Sequence, residues 1–200
     1  MNRFQKRSAI IGTILGDSSL CGKKNKTIVT GHSPQQLEYL QHKKELFESF
    51  CSAGVRIKKA EGMDHEFYRL WTTTHHRYTA LFSLIYASNR KTITTKLLSK
   101  FDEVGLAYLF MDDGCKEAFF DKKYNKKILK SYKFSLNSFS QDEVQLLSDW
   151  LLEKFSIHSK VYLDRGKYPY LRISQKESKE LFLNLIEPYV IDSMKYKLYV

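Results

Sequence analysis

Acid, cysteine, proline and long apolar runs are all scarce in this chain of 200 residues. Asp and Glu total 22 against 33 Lys and Arg, giving a formal net charge of +11 and a pI near 9.4. A surface so short of acid favours a polyanionic partner, nucleic acid first and an acidic membrane surface second. The three cysteines, Cys21, Cys51 and Cys115, are odd in number and unpaired in spacing, and no Cys/His set has zinc-ligand spacing. This argues against a disulfide framework or a structural zinc site and for a reducing, intracellular setting. No apolar stretch is long enough to span a membrane. Met1–Ser8 is basic and Ala9–Leu15 apolar, which imitates a signal peptide, but the run is short and Gly16-Asp17 ends it without a cleavage site. Only 3 prolines stand beside 13 tyrosines and many lysines. That is the composition of an AT-rich genome, so a mitochondrion or chloroplast is expected, with a bacterial or phage origin as the alternative.

A hydrophobic share of 42% suffices for a buried core. Charge is uneven: residues 1–100 hold 17 Lys and Arg against 7 Asp and Glu, and residues 101–200 hold 16 against 15. In the second part, lysines crowd between Lys116 and Lys133, while Asp142, Glu143, Asp149 and Glu153 gather on a predicted helix. Base on strands and acid on helices is what a sheet facing a nucleic-acid groove requires.

Two apolar segments organise the rest. Gly105–Gly114 reads Gly-Leu-Ala-Tyr-Leu-Phe-Met-Asp-Asp-Gly, and Ile10–Ser18 reads Ile-Ile-Gly-Thr-Ile-Leu-Gly-Asp-Ser. Both are too apolar for surface helices, and both end in acid, where apolar surroundings make charge costly unless it is paired or holds a metal. Asp17 and Asp113 lie 96 positions apart. Gly12 and Gly16 share a helix face and permit close approach of a partner helix. Asp102 is the expected N-cap of the second helix.

The periodicity predicts the same order of elements twice: helix, hairpin, helix, hairpin, helix. The first part has a hairpin over Asp17–His32 with Lys23, Lys24 and Lys26 at its tip. A helix starts at Ser33-Pro34 and ends by Gly54. A strand at Val55–Lys58 follows, then a turn at Met63-Asp64, a strand at Phe67–Thr74 and a helix at His75–Ala87. His75 and His76 read as helix-start residues rather than metal ligands. Asn89–Phe101 connects the halves and lacks a Gly/Ser-rich linker, so the halves should share an interface. The second part has a longer hairpin over Cys115–Asn137. A capping box, Ser140 with Glu143, opens a helix running to Phe155. A hairpin over Lys160–Ser174, a helix over Glu177–Val190 interrupted at Pro188, and a tail from Ile191 complete it. From Ser33 to Lys91 is 58 positions and from Ser140 to Lys197 is 57. The first hairpin takes 16 positions in one half and 27 in the other, the kind of insertion that loops absorb. The fold expected is therefore α+β, two pseudo-symmetric αββαββα halves over residues 1–100 and 101–200.

Leu106–Gly114 resembles the signature of the LAGLIDADG homing endonucleases, in the branch that carries two motifs on one chain. Its Leu, Ala, final Asp and Gly agree letter for letter. Ile10–Ser18 is looser, sharing Gly12, Ile14 and Asp17, with Ser18 where the motif has Gly. Asn89–Ile93 and Met194–Leu198 also resemble endonucleases of mitochondrial introns, so the resemblance covers nearly the whole chain. It implies motif helices packed at the centre and antiparallel sheets forming a DNA-binding saddle over the major groove. It implies a monomer that uses Mg²⁺, two or three ions at the pseudo-dyad, to cut both strands of a long site and leave 3′ overhangs. Asp17 and Asp113 are then catalytic acids, the metal site is made by Asp17, Asp113, Gly16 and Asp112, and Lys91 and Lys197 are the catalytic lysines that assist. The basic residues expected to grip DNA are Lys23, Lys24, Arg56, Lys58, Arg69, Lys116, Lys130, Lys133, Arg165 and Arg172. Tyr108 departs from the motif, which has glycine there; close helix approach must then rest on Gly12, Gly16, Gly105 and Ala107. The alternatives are an intron RNA maturase and a DNA-binding relic that no longer cuts.

Overall fold

Helix α1 (Arg3–Leu15) opens with a capping box at Asn2, whose side chain accepts the Gln5 N–H at 2.9 Å while Gln5 returns a bond to the Asn2 N–H at 3.0 Å. From Ser8 onward every residue of α1 is buried. The computed structural model describes residues 1–51, 54–59 and 66–200. The turn expected at Met63-Asp64 lies outside them. The first half continues with β1 (Ser19–Cys21), β2 (Thr27–His32), a 3-10 turn (Pro34–Gln36) and α2 (Leu37–Phe50). Then come β3 (Val55–Lys59), β4 (Tyr68–Thr72), α3 (His76–Ile85), β5 (Tyr86–Ala87), β6 (Arg90–Lys91) and α4 (Thr95–Leu98). The second half runs α5 (Glu103–Asp113), β7 (Gly114–Asp121), β8 (Lys126–Ser135), α6 (Gln141–Phe155), β9 (Lys160–Asp164), β10 (Tyr168–Ile173) and α7 (Lys176–Ile186). Two 3-10 turns, Glu187–Tyr189 and Asp192–Lys197, follow. No helix among the described residues is long and apolar enough to cross a membrane.

The repeat is visible in the sheets. One is ordered β1-β2-β4-β3 and the other β7-β8-β10-β9, each wholly antiparallel. The inner strands β2, β4 and β10 bury alternate residues, whereas the edge strand β9 buries none. Ile28 and Leu70 face the core in the first sheet, and Tyr132, Phe134, Leu171 and Ile173 do so in the second. Helices α1 and α5 lie against each other between the sheets, and they are close enough that a Cβ on Gly12 would run into the backbone carbonyl of Gly105. Asp102 caps α5 by accepting the N–H groups of Val104 and Gly105 at 3.0 and 3.2 Å, and its own N–H bonds Ser8 Oγ of α1 at 2.9 Å. The close approach falls on Gly12 and Gly105, as the sequence required, and Tyr108 is accommodated with its hydroxyl 2.6 Å from His42 Nε2.

Several boundaries differ from the sequence reading. Ser33 offers no side-chain cap, and α2 stops at Phe50, short of Gly54. Helix α3 ends at Ile85 because Ser88 and Asn89, both at positive φ, close a tight β5–β6 turn. The connection beyond it is fastened: Glu143 of the α6 capping box also takes Arg90 at 2.7 and 3.2 Å and the Ile93 N–H at 3.2 Å. The tail from Ile191 is a 3-10 turn pinned by buried Met194 and by Tyr132, whose hydroxyl donates to the Leu198 carbonyl at 3.0 Å.

Candidate active site and nucleic-acid face

The C-terminal ends of α1 and α5 bring three carboxylates together. Asp17 follows the α1 cap Gly16, and its side chain is 41% exposed. Asp112 and Asp113 end α5, and the Asp112 side chain is fully covered. Both Asp112 oxygens are engaged: Oδ1 meets Lys43 Nζ at 2.7 Å and Oδ2 accepts the Asp17 N–H at 3.1 Å. A Cβ on Gly16 would strike Asp112, so the small residue in one motif makes room for the acid in the other. Burial, then the charges of Asp17 and Asp112, push the Asp113 carboxyl up to about 7, against the opposing pull of Lys91 and Lys197.

The two lysines occupy equivalent places. Lys91, delivered by the β5–β6 turn, donates to the Gly16 carbonyl at 2.7 Å. Lys197, delivered by the last 3-10 turn, donates to the Met111 and Asp112 carbonyls at 2.6 and 3.0 Å. Each thus binds the carbonyl immediately before a motif aspartate. Burial lowers both lysines below their ordinary range, and the three surrounding carboxylates hold them partly up.

His32 and Lys43 join the site without having been foreseen. Lys43 has no exposed side-chain surface, and its Nζ lies 2.9 Å from His32 Nε2. An ammonium can only donate, so Nε2 accepts and His32 carries its proton on Nδ1. Nδ1 faces Gln36 Oε1 at 2.9 Å and lies 3.9 Å from an Asp17 oxygen. Burial and Lys43 lower the imidazole to about 4, so it is neutral at physiological pH. Asp17, His32 and Asp112 form the one metal-sized cluster among the described residues, but both His32 nitrogens are engaged. The donors left for a cation are oxygens: the carboxylates of Asp17 and Asp113, and the second lone pairs of the Gly16 and Asp112 carbonyls, which already accept Lys91 and Lys197. Such a hard set suits Mg²⁺, Mn²⁺ or Ca²⁺.

Strand register sorts the basic candidates. Arg56 pairs across from Trp71 and Lys58 from Arg69, which puts Arg56, Lys58 and Arg69 on the sheet face opposite Ile28 and Leu70. Lys23 and Lys24 are exposed in the β1–β2 turn, and Arg165 is exposed in the β9–β10 turn. Lys130 sits at a bulge in β8 where Glu117 and Ala118 pair with Ser131 and Leu129. Lys133 lies on the outer face over Tyr170, 4.3 Å from the ring. Arg172 shares that face but is tied to Glu117, its Nη2 2.9 Å from Oε1. Lys116 is on the other parity, opposite core residue Tyr132, and donates to the Tyr196 and Tyr199 carbonyls. It anchors the C-terminal turn that delivers Lys197.

The Asp113 carboxyl has a consequence for stability. A carboxyl raised from its ordinary value binds more protons folded than unfolded, so folding loses stability as pH climbs from about 4 to about 7 and stays lowered above. Asp113→Asn removes that loss. In EDTA at pH 8 the variant should melt higher than the parent by about 3–6 °C, from about 1–2 kcal/mol, and the gain should vanish below pH 4. Equal melting at both pH values would show that the carboxyl is not so raised.

A family model described as LAGLIDADG DNA endonuclease matches residues 7–181. A protein of Wickerhamomyces canadensis described as probable intron-encoded endonuclease 1 is 30% identical, over 99% of this chain and 85% of that one. The cytochrome b mRNA maturase bI2 of Saccharomyces cerevisiae is 28% identical over 96% of this chain, which spans 46% of that protein. Among solved structures, the homing endonuclease I-WcaI bound to its DNA recognition sequence aligns with TM-score 0.80 and 28% identity, over 99% of this chain and 87% of that one. I-DmoI in complex with DNA and Mn shares the fold, with TM-score 0.60 and 16% identity over 92% of this chain and 97% of that one. Two motif helices back to back, a repeated four-stranded sheet and a family match over most of its length place the conclusion beyond resemblance: the chain belongs to the LAGLIDADG DNA endonuclease family.

Proposed function

We propose that this protein is a monomeric site-specific endonuclease that hydrolyses both strands of a long DNA duplex and leaves 3′ overhangs. The observation that carries the reading is the paired arrangement at the ends of α1 and α5: Asp17 and Asp113 side by side, each with a buried lysine on the carbonyl before it. Two such sets, one from residues 1–100 and one from residues 101–200, suit two scissile phosphates related by a pseudo-dyad. Asp17 and Asp113 would hold divalent cations, Mg²⁺ in the cell, with help from the Gly16 and Asp112 carbonyls. Bound there, the ions would supply activation of water, neutralisation of phosphoryl charge and help for the departing 3′ oxygen. The chain's own residues do the rest. Lys91 and Lys197 present positive charge where a phosphate would lie. Asp112, satisfied by Lys43 and the Asp17 N–H, fixes the Asp17 backbone rather than binding metal through its side chain. Lys23, Lys24, Arg56, Lys58, Arg69, Lys130, Lys133 and Arg165 supply the phosphate and base-edge contacts that set register. Intron-encoded relatives support an organellar origin.

The maturase relative keeps a second reading alive, in which the same fold binds intron RNA. One experiment separates the two. The purified protein is incubated with a randomised duplex library in Mg²⁺ and separately in Ca²⁺, and cut ends and bound fragments are sequenced. Paired offset ends in Mg²⁺ only are expected and would give the target. Enriched binding with no cutting in Mg²⁺ would sink the endonuclease reading in favour of a binding relic, and no enrichment on DNA would favour structured RNA.

A further inference from the structure

We infer that Lys43 is a positioning residue that acts through Asp112 on the Asp17 side of the active site alone, making the two strand-cutting centres chemically unequal. The inference rests on the endonuclease reading. Lys43 and Asp112 both have fully covered side chains, and they meet at 2.7 Å. Lys43 comes from the middle of α2 and Asp112 from the end of α5, so the pair fastens a peripheral helix of the first half to the central helix of the second. Asp112 in turn accepts the Asp17 N–H, and Lys43 fixes the His32 tautomer whose Nδ1–H points toward Gln36 and the Asp17 carboxylate. Asp17 is therefore held through its backbone and faced by a neutral imidazole, and both constraints pass through one ammonium.

The second half has no such device. Matched on their buried faces, Tyr39, Leu40, Lys43 and Phe47 of α2 fall on Glu143, Val144, Leu147 and Leu151 of α6, so the counterpart of Lys43 is Leu147, a fully buried apolar side chain. The counterpart of Asp112 is Gly16, which has no side chain. Asp113 is thus held by the helix end and by Lys197 on its preceding carbonyl, with no buried ion pair behind it. A carboxylate buried without its cation cannot stay as it is: it takes up a proton, draws in water or displaces its neighbours. Loss of Lys43 should therefore disturb Asp17 while leaving Asp113 in place.

The test uses supercoiled plasmid carrying the selected target, with each strand's cleavage followed separately. Wild type should give linear product. Lys43→Met should accumulate open circles nicked always in the same strand, the other strand being cut about 10–100-fold more slowly, the usual cost of losing a side chain that orients a ligand. Duplex affinity in Ca²⁺ should stay within about twofold, since Lys43 is buried away from DNA. The double variant Asp112→Asn/Lys43→Met leaves neither charge and should recover most of the lost strand's rate. A purely structural lysine would slow both strands alike and would not be rescued, and that pattern overturns the inference. If Lys43→Met does not fold, Asp112→Asn, which strands the lysine instead, should show the same one-strand defect, relieved in the double variant; equal slowing of both strands again overturns it. A wild-type protein that cuts neither strand fails at the prior step, and the endonuclease reading falls with the inference.

Discussion

Asp17→Asn and Asp113→Asn, each alone, should abolish double-strand cleavage by at least about 10³-fold, which is about 4 kcal/mol of transition-state stabilisation. Each substitution replaces one of the two anionic oxygen donors free to hold a cation, and an amide binds Mg²⁺ far less well than a carboxylate. DNA binding should survive within about tenfold, because the grip comes from basic residues spread over two sheet faces. Neutralising an acid facing phosphate can even tighten it. Linear-product assays in Mg²⁺ and duplex titrations in Ca²⁺ decide the matter. Either variant cutting normally removes that aspartate from the catalytic set. Combined with the stability gain expected for Asp113→Asn in EDTA, the result would identify a strained acid cluster that the fold keeps for function rather than for itself.

The architecture was legible in the sequence because its signals are local and repeated. Two apolar helices ending in Asp, a capping box at Ser140, turn-rich hairpin tips and near-equal spacings from Ser33 to Lys91 and from Ser140 to Lys197 all point to duplication. Strand alternation alone puts Arg56 and Lys58 on one parity of β3, and the β3–β4 register then brings Arg69 to the same face. What stayed hidden depends on contacts between distant segments. Lys116 obeys the alternation of its strand, yet its role is decided by the C-terminal turn, some eighty residues later in the chain, folding over it. Arg172 reads as a DNA contact until Glu117 is seen beside it. The β5–β6 turn that aims Lys91 rests on positive φ at Ser88 and Asn89, where neither residue is glycine. Lys43 did leave a trace. Tyr39, Lys43, Leu46 and Phe50 follow helical spacing and are all buried, so Lys43 stands as a lone charge on the apolar stripe of α2. Such a charge requires a buried partner of opposite sign. The surplus acid of the second motif, Asp112 where the first has Gly16, was the available one. Reading the two anomalies together would have found the pair.

Gly12→Ala should destabilise the protein by at least about 2 kcal/mol, and Gly12→Val should largely prevent folding. The sign is the informative part. In an ordinary helix interior, Gly→Ala stabilises by about 0.5–1 kcal/mol, because alanine has less chain entropy to lose. Gly12 lies inside α1 and meets that condition. Yet a Cβ there runs into the Gly105 carbonyl and comes within 3.1 Å of Tyr108 Cβ, and the facing Gly105 has no slack of its own, with Ser8 and the Phe101 ring already against it. The helices would have to part. That would strain the hydrogen bond from the Asp102 N–H to Ser8 and shift the Asp17 and Asp112 ends relative to each other. Thermal melts in EDTA should place Gly12→Ala at least about 4 °C below the parent. Cleavage by the fraction still folded should fall further than the loss of folded protein explains, since sub-ångström displacement of reacting groups is costly. Gly166 supplies the contrast: its φ is +67° but a Cβ there meets nothing within 4 Å, so Gly166→Ala carries only the local backbone strain, about 1 kcal/mol, and should leave cleavage unchanged. If Gly12→Ala instead raised the melting temperature, α1 and α5 could not be in backbone contact, and the placement of all three aspartates at one junction would fall with it.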